Sequence, residues 1–210
     1  MSELFSMSLA EILKASASSE PTPGGGSVSA ICAAFAASMA SMVANLTIGK
    51  KKYKDVEAQV TSLRDQTLRL LAGFEELVDE DIKQFGNFME AYRLPKNTPE
   101  EKEKREASVQ KALKGATETP LRVARACVDL LEIVCELAPI GNKMAISDAG
   151  VAAYLGEASL RAVLLSADIN IPMIKDPDYV EQVVQEKEGL IGQAQKLKEK
   201  AMAIVSARMA

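Results

Sequence analysis

Clear helix-start signals constrain this chain more than any other feature, because no segment has the strict alternation of a β-strand to compete with them. The segments Ser8–Glu11 and Thr98–Glu101 have the pattern of a capping box, and Asp176–Pro177 opens a last helical run. Apolar residues then recur every three or four positions. The sequence predicts an all-α fold, a bundle of about six helices over residues 8–17, 27–47, 53–91, 99–138, 146–168 and 177–208.

Two of the predicted helices are very long. Nearly forty residues at 1.5 Å each extend over about 55–60 Å, which is too long for a compact single-chain bundle. Such helices usually bury their apolar stripes against each other and against a second copy, so the sequence predicts a homodimer. Pro120 is expected to kink the second of them. Because no internal repeat is visible and the only plausible linker is 93–99, residues 1–210 are predicted to form one domain.

Composition and charge exclude several kinds of function. The net charge of −4 gives no basic field for a phosphate backbone, so nucleic acid is not an expected partner. The chain has no histidine, which removes Ser-His-Asp and Cys-His catalysis and most zinc chemistry. Its three cysteines lie in apolar runs without metal-ligand spacing. With no export signal evident, these features predict a cytoplasmic protein without a metal site.

The uncharged segment from Pro21 to Gly49 is long enough to span a bilayer. It is mostly Ala and Ser, however, and has few of the Leu, Ile and Phe residues that favour insertion. Small residues recur at every fourth position, which allows another helix to approach closely. The pattern favours a buried helix, so a membrane partner is not expected. The small residues are Ser29, Ala33, Ala37 and Ser41.

An acid interrupts the apolar stripe of the first long helix. The stripe runs from Val56 to Leu77 in steps of four and three, and its next position is Asp81. Asp79 lies about 200° from Leu77 around the helix and is expected to face elsewhere. A carboxylate in a core costs several kcal/mol unless it is paired, hydrated or protonated. Asp81 therefore either pairs with a base such as Arg105 or serves acid–base catalysis through a raised pKa.

The glycine-rich loop Gly24–Ser27 precedes a helix and also has two interpretations. Backbone N–H groups at such a helix start can receive an anion or a carbonyl oxygen. Alternatively, the glycines only allow a tight turn beside a crowded interface. The loop has neither the Walker pattern nor the dinucleotide fingerprint, so nucleotide binding has weak support.

Polar residues elsewhere are ambiguous in the same way. Ser147 and Asp148 follow Gly141–Asn142 and either cap a helix or line a site. Asn170 near Pro172 is compatible with a simple helix end. The basic run Lys50–Lys52 is either solvated or holds a carboxylate tail.

Several motifs occur together in the order typical of one family. They are PTPGGGS, ANLTIGKKKY, LVDEDIKQF, AYRLPKNTPEEKEKR, GN followed by SDAGVAA, and DINIPMIKD. Over about residues 5–180 the chain resembles the formiminotransferase-cyclodeaminase C-terminal family, without a formiminotransferase domain. The resemblance implies an all-helical homodimer that binds a folate-derived substrate near the dimer interface and uses no metal or redox cofactor.

The resemblance also implies site residues. The family's catalytic aspartate lies in the motif that matches Val78–Asp81, and the stripe argument selects Asp81 over Asp79. Lys96 and Asp148 are the other catalytic candidates. The substrate-binding candidates lie at the family's recurrent polar positions and are Gly24, Gly25, Gly26, Ser27, Lys50, Asp79, Arg105, Asn142, Ser147 and Asn170.

The reaction implied by the resemblance takes place at the methenyl bridge of tetrahydrofolate. The first interpretation is a formimidoyltetrahydrofolate cyclodeaminase, in which protonated Asp81 gives its proton to the departing ammonia. The alternative is a methenyltetrahydrofolate cyclohydrolase, in which the Asp81 carboxylate activates water and Lys96 steadies the intermediate. In both, Lys50, Lys51 and Arg105 are expected to bind the glutamate tail.

Two classes of non-catalytic protein stay open on the residues alone. One is a helical scaffold in which Asp81 fixes the register of the helices as a buried polar group. The other is a phosphate- or nucleotide-binding module built on the glycine-rich loop, which predicts thermal stabilisation by phosphate.

Overall fold

The computed structural model describes residues 3–210, and it is all-helical as the sequence predicts, with no strand in that range. Seven α-helices follow one another, and the first is a single short turn. Three 3₁₀ segments, Lys51–Val56, Lys143–Ala145 and Ile171–Met173, lie between them. The helices are α1 (Glu3–Ser6), α2 (Leu9–Ser16), α3 (Gly25–Thr47), α4 (Glu57–Arg93), α5 (Pro99–Ile140), α6 (Ile146–Asp168) and α7 (Pro177–Met209).

The predicted helix starts are confirmed by their hydrogen bonds. Ser8 Oγ accepts from the N–H of Glu11 at 3.3 Å, and the Glu11 carboxylate accepts from the N–H of Ser8 at 2.7 Å. Thr98 and Glu101 form the same reciprocal pair before α5. These bonds satisfy N–H groups that have no partner within the helix.

Two predicted boundaries are wrong by a few residues. Helix α3 begins at Gly25 and not at residue 27, because Gly24 already serves as its N-cap in an extended conformation. Helix α4 begins at Glu57 and not at residue 53, because Tyr53, at φ −113° and ψ 15°, interrupts the helical geometry of the preceding 3₁₀ segment.

One continuous core joins α1 and the five long helices α3 to α7. Helix α3 packs against α4 and α6, while α5 packs against α4, α6 and α7. The predicted ridge of small residues on α3 is buried. Because these side chains end at Cβ or Oγ, the neighbouring helices approach α3 closely.

Helix α3 is also the one helix within residues 3–210 that is long and apolar enough to cross a membrane by composition. Of its most apolar window, 61% is buried inside the protein. The core helix of a folded domain meets the same criterion, and the burial of α3 agrees with the predicted buried helix.

The outer sides of α3 and α6 carry several exposed apolar side chains. On α3 they recur at steps that keep them on one side. On α6 and at its C-cap they share one side with the exposed Arg161. We call this surface the α3–α6 outer face. Its most exposed members are Val28, Phe35, Leu46, Val151, Tyr154, Leu165 and Ile169.

Helix α5 continues without interruption through Pro120 and Pro139 to Ile140. Pro120 is buried in the middle of the helix, whereas Pro139 is exposed near its end. A proline has no N–H, so each removes one hydrogen bond from the helix. The kink expected at Pro120 stays a prediction.

Candidate active site

A half-open cavity of about 340 Å³ lies at the N-terminal end of α3. It is enclosed by the loop before α3, the middle of α4 and α5, and the end of α6 with the 3₁₀ segment that follows it. We call it the Asp81 pocket. Its lining residues are Pro21, Thr22, Gly24, Gly25, Gly26, Asp81, Gln84, Phe85, Phe88, Ala116, Ser166, Ile169, Asn170 and Met173.

Asp81 projects from α4 onto the first turn of α3. Ser27 Oγ donates to Asp81 Oδ2 at 2.7 Å, and the backbone of Ser27 also hydrogen-bonds to this carboxyl group. A Cβ atom on Gly26 would lie only 2.4 Å from Asp81 Oδ1. Glycine at position 26 is therefore what allows the carboxyl group to rest directly on the α3 backbone.

Burial raises the pKa of Asp81, and the hydrogen bonds from Ser27 offset only part of that effect. Within residues 3–210, no Lys or Arg forms an ion pair with Asp81. The carboxyl group is thus held near a helix N-terminus but lacks a counter-ion. A cation that enters the pocket gains a direct electrostatic partner.

Arg105, the base considered as a partner for Asp81, lies elsewhere. Its Nε donates to the carbonyl oxygen of Tyr92 at 3.0 Å, and its guanidinium group stacks over the Tyr92 ring at 4.7 Å. These contacts join α4 to α5 near their connecting turn. The interpretation of Asp81 as the partner of Arg105 is therefore wrong, and Arg105 does not line the Asp81 pocket.

Two half-buried aromatic side chains, Phe85 and Phe88, form one wall of the pocket. They continue the apolar stripe of α4, which is mostly buried as far as Leu77. Beyond Asp81 the same stripe forms a wall of the pocket. Ile169 and Met173 add further apolar surface. Such walls suit a flat organic ring, because aromatic faces stack on one another and exclude water.

Six of the predicted site residues come together here. Gly24, Gly25, Gly26 and Asn170 line the pocket, and Ser27 holds Asp81. The N-terminus of α3 receives the Asp81 carboxyl group, so the anion expected at the glycine-rich loop is a side chain of the protein itself. This arrangement does not favour the phosphate-binding interpretation of the loop.

Asn142 lies at the opposite end of α3. The 23 residues of α3 span about 35 Å at 1.5 Å per residue. Asn142 Nδ2 donates to the carbonyl oxygen of Leu46 at 2.8 Å, and its backbone N–H donates to Thr47 Oγ1 at 2.8 Å. Tyr53 Oη accepts from the N–H of Lys143 at 2.9 Å. Asn142 thus ties the connection between α5 and α6 to the end of α3.

Three more candidates belong to this second end of the molecule. Lys50 is exposed just after α3, and Ser147 and Asp148 lie in the first turn of α6, exposed and half-buried respectively. Within the described chain they do not line the Asp81 pocket. We call Lys50, Asn142, Ser147 and Asp148 the Asn142 end.

Lys96 and Asp79 also lie outside the pocket. Lys96 is exposed in the turn between α4 and α5, so a role for it in steadying an intermediate has no support within one chain. Asp79 is exposed and lines a separate cavity with Lys83, on another side of α4. The prediction that Asp79 faces away from the stripe is confirmed.

Several lining residues were not identified from the sequence. Thr22 and Ser166 add hydroxyl groups to the pocket, and Ala116 lines it from α5, the helix whose predicted site residue, Arg105, lies elsewhere. For Ala116 the sequence offered one sign, Pro120, because a proline leaves the carbonyl group four residues earlier without its helical donor. Whether that carbonyl group lies at a site depends on how the helix packs in the fold. No group of three or more His, Cys, Asp or Glu residues within the described part of the chain forms a metal-binding cluster.

The fold and the pocket together define an all-helical protein with a half-open cavity, of a size that suits a small organic molecule, beside a carboxylic acid. The chain belongs to the formiminotransferase-cyclodeaminase family, whose model matches residues 8–189. This is a family of folate one-carbon cyclodeaminases and cyclohydrolases, and the chain is accordingly an enzyme. The scaffold and nucleotide-binding interpretations are not supported.

Individual relatives carry both names. A methenyltetrahydrofolate cyclohydrolase of Methylorubrum extorquens is 43% identical over 196 residues, which cover 92% of this chain and 93% of that protein. A formimidoyltransferase-cyclodeaminase of Mus musculus is 34% identical over 172 residues, 82% of this chain but only 32% of the larger protein. The crystal structure of a formiminotetrahydrofolate cyclodeaminase of Thermotoga maritima superposes with a TM-score of 0.88 at 29% identity, and the match covers 98% of both chains.

Proposed function

We propose that this protein is a methenyltetrahydrofolate cyclohydrolase that opens the methenyl bridge with water. The observation that carries the proposal is Asp81, a half-buried carboxyl group with a raised pKa and no cationic partner in its pocket. The methenyl bridge is a cation, and such a group is its natural counter-ion. The relative with the cyclohydrolase name matches this chain over nearly its whole length, which favours the hydrolase over the cyclodeaminase expected first from the sequence.

The proposed reaction begins when the substrate cation enters the pocket and lowers the pKa of Asp81, so that the group is ionised. Water attacks the bridge carbon while the Asp81 carboxylate accepts one of its protons. The bond from the carbon to one ring nitrogen then breaks, and that nitrogen takes up the proton held by Asp81. The second proton of the water leaves to solvent, and a formyl group stays on the other nitrogen. Phe85 and Phe88 exclude bulk water from the ring beside the bridge.

The cyclodeaminase is the second candidate, and the Thermotoga structure of that name favours it. Here the raised pKa keeps Asp81 protonated, so it can donate its proton to the nitrogen that leaves as ammonia. The carboxylate that remains stabilises the new methenyl cation. Both reactions use Asp81 and involve the methenyl cation. They differ in whether Asp81 acts first as the carboxylate or as the protonated acid.

The experiment that separates them supplies purified protein with 5,10-methenyltetrahydrofolate or with 5-formiminotetrahydrofolate. Enzyme-dependent loss of the methenyl absorbance from the first substrate is the expected result. Formation of methenyl absorbance together with ammonia from the second would establish the cyclodeaminase instead. A folded protein that turns over neither substrate contradicts both assignments.

We also propose that two copies pair through the α3–α6 outer face. Seven large apolar side chains are exposed on this face, with Arg161 among them on α6, and such a cluster is unusual for a surface in contact with water. An antiparallel pair would cover its apolar side chains and set the Asp81 pocket of each copy beside the Asn142 end of the other. The lysines at positions 50–52 and Lys143 at that end are exposed, and the pocket that they would approach is lined by Asp81 and by no lysine or arginine of the described chain.

Such a pair accounts for candidate residues that are about 35 Å apart along α3 in one chain. The partner subunit's Asp148 would then face the substrate bound over Asp81. The partner subunit's Lys50 would be available to the glutamate tail, a carboxylate chain that suits lysine donors. The Asp81 pocket is half-open in a single chain, and the second copy would close it.

A further inference from the structure

Pro120 leaves one backbone carbonyl group of α5 without its helical donor. In an α-helix the carbonyl oxygen of each residue accepts from the N–H four residues later, and proline has no N–H. The carbonyl oxygen of Ala116 therefore lacks this partner. Neighbouring hydroxyl groups do not replace it, since Thr117 Oγ1 donates to Leu113 at 2.8 Å and Thr119 Oγ1 donates to Gly115 at 3.4 Å.

Ala116 is half-buried and lines the same cavity as Asp81. A carbonyl group that is shielded from water and lacks a donor is costly, and such groups are usually paired with water or with a ligand. The other proline inside α5, Pro139, is exposed near the end of the helix. Its i−4 residue, Cys135, does not line the pocket. Of the two prolines, only Pro120 thus removes the helical donor of a residue that lines the pocket.

We infer that the carbonyl oxygen of Ala116 accepts a hydrogen bond from the 2-amino group of the substrate's pterin ring, and that Pro120 is the residue that makes it available. The inference rests on the proposed function, because the amino-pyrimidine edge of the pterin ring supplies such donors. Asn170 adds a second acceptor, since its Nδ2 is bound to the carbonyl oxygen of Ser166 at 3.0 Å and its Oδ1 is left for the ligand.

This role differs from that of Asp81. Asp81 acts on the methenyl bridge, whereas the Ala116 carbonyl recognises the ring that carries the bridge. Loss of a recognition contact that is the same in substrate and transition state changes KM and leaves kcat nearly constant. Ala116 is therefore a specificity-determining residue, and Pro120 is its positioning residue.

The test restores the missing N–H. In Pro120→Ala the backbone N–H of residue 120 can donate to the Ala116 carbonyl and occupy it within the helix. We expect KM for 5,10-methenyltetrahydrofolate to rise about tenfold, the effect of one hydrogen bond, with kcat changed less than about threefold. The melting temperature should not fall, because alanine is the better residue inside a helix. Pro139→Ala is the matched control and should keep the wild-type KM.

A pair of competitive ligands gives a readout that a merely structural effect does not move. Tetrahydrofolate and its 2-desamino analogue differ in one N–H donor group. Wild-type protein should bind the amino compound about tenfold more tightly, and Pro120→Ala should bind the two equally. Pro120→Gly also restores the N–H and replaces the alanine variant if that protein does not fold.

An unchanged preference for the amino compound in a folded Pro120 variant overturns the inference and leaves the proposed function intact. Wild-type protein that binds neither compound and turns over no methenyltetrahydrofolate overturns the proposed function and the inference together. Equal binding of both compounds by wild-type protein overturns the inference alone.

Discussion

The carboxyl group of Asp81 occupies a position that stability alone would give to a leucine. It follows Leu77 on the apolar stripe of α4, and burial raises its pKa in spite of two contacts from Ser27. A buried acid without a cationic partner destabilises the folded protein when it ionises. At the scale of single residues, this cost marks Asp81 as a functional group and not as part of the core packing.

Asp81 should control the pH dependence of turnover. In the hydrolase its carboxylate is the active form, so kcat/KM rises with pH through the raised pKa of Asp81. In the deaminase the protonated form is active, and kcat/KM falls through the same pKa. We expect a rising limb, and Asp81→Asn should lose that limb together with a factor of about 10²–10⁴ in kcat. If the rise of kcat/KM with pH persists in Asp81→Asn, it belongs to a titrating group other than Asp81.

The same substitution should change stability in a pH-dependent way. Between the ordinary pKa of an unfolded aspartate and the raised pKa of folded Asp81, the folded state binds more protons, so stability falls as pH rises through this window. Asp81→Asn removes the ionisation. We expect the free energy of unfolding of Asp81→Asn, minus that of wild type, to increase with pH across this window and then to level off. Urea unfolding at several pH values measures it, with the exposed Asp55→Asn as the control.

Gly26→Ala should displace the catalytic carboxyl group without unfolding the protein. The added Cβ would lie 2.4 Å from Asp81 Oδ1 and 2.8 Å from both its Cγ and Oδ2, so the side chain has to move. We expect kcat to fall at least about tenfold, since misplacing a proton-transfer group removes much of its contribution. Gly73→Ala is the matched control, because nothing lies within 4 Å of a Cβ added there. Equal activity in the two variants would contradict the role of Asp81.

At the scale of elements, periodicity and capping residues were sufficient to predict the helices, because these signals are local. The ridge of small residues on α3 is buried as predicted, and so is the stripe from Val60 to Leu77 except for the half-buried Leu70. The same stripe gave no sign that Phe85 and Phe88 line a cavity, since an aromatic residue facing a core and one facing a ligand have the same spacing. Which helix lies opposite such a residue depends on tertiary packing.

Asn142 shows that the sequence also does not distinguish a polar residue that binds substrate from one that stabilises the fold. The sequence offered it as a substrate-binding candidate, but its side chain donates to Leu46 and accepts from the N–H of Met144 at 3.0 Å. Asn142→Ala should therefore lower the free energy of unfolding by about 1–2 kcal/mol, because it leaves backbone groups of two elements unpaired. Chemical denaturation measures this loss. A variant with wild-type stability and a raised KM would instead support direct contact with the substrate.

At the scale of the whole molecule, the two groups of candidate residues at opposite ends of α3 lead to the last prediction. If each site combines Asp81 of one copy with Asp148 of the other, Asp81→Asn and Asp148→Asn proteins should each be inactive as pure dimers. After mixing and exchange of subunits, about half of the dimers are mixed, and each of these has one intact site and one doubly altered site. Activity should then return to about a quarter of the wild-type value.

The control is the corresponding mixture of Asp81→Asn with Gly26→Ala, which should recover no activity. Both changes affect the pocket that a single chain forms, so no mixed dimer contains an intact site. Light scattering shows in parallel whether the proteins are dimers, and Phe35→Glu on the α3–α6 outer face should yield inactive monomers. Mixed dimers without activity would place every essential residue of a site in a single chain.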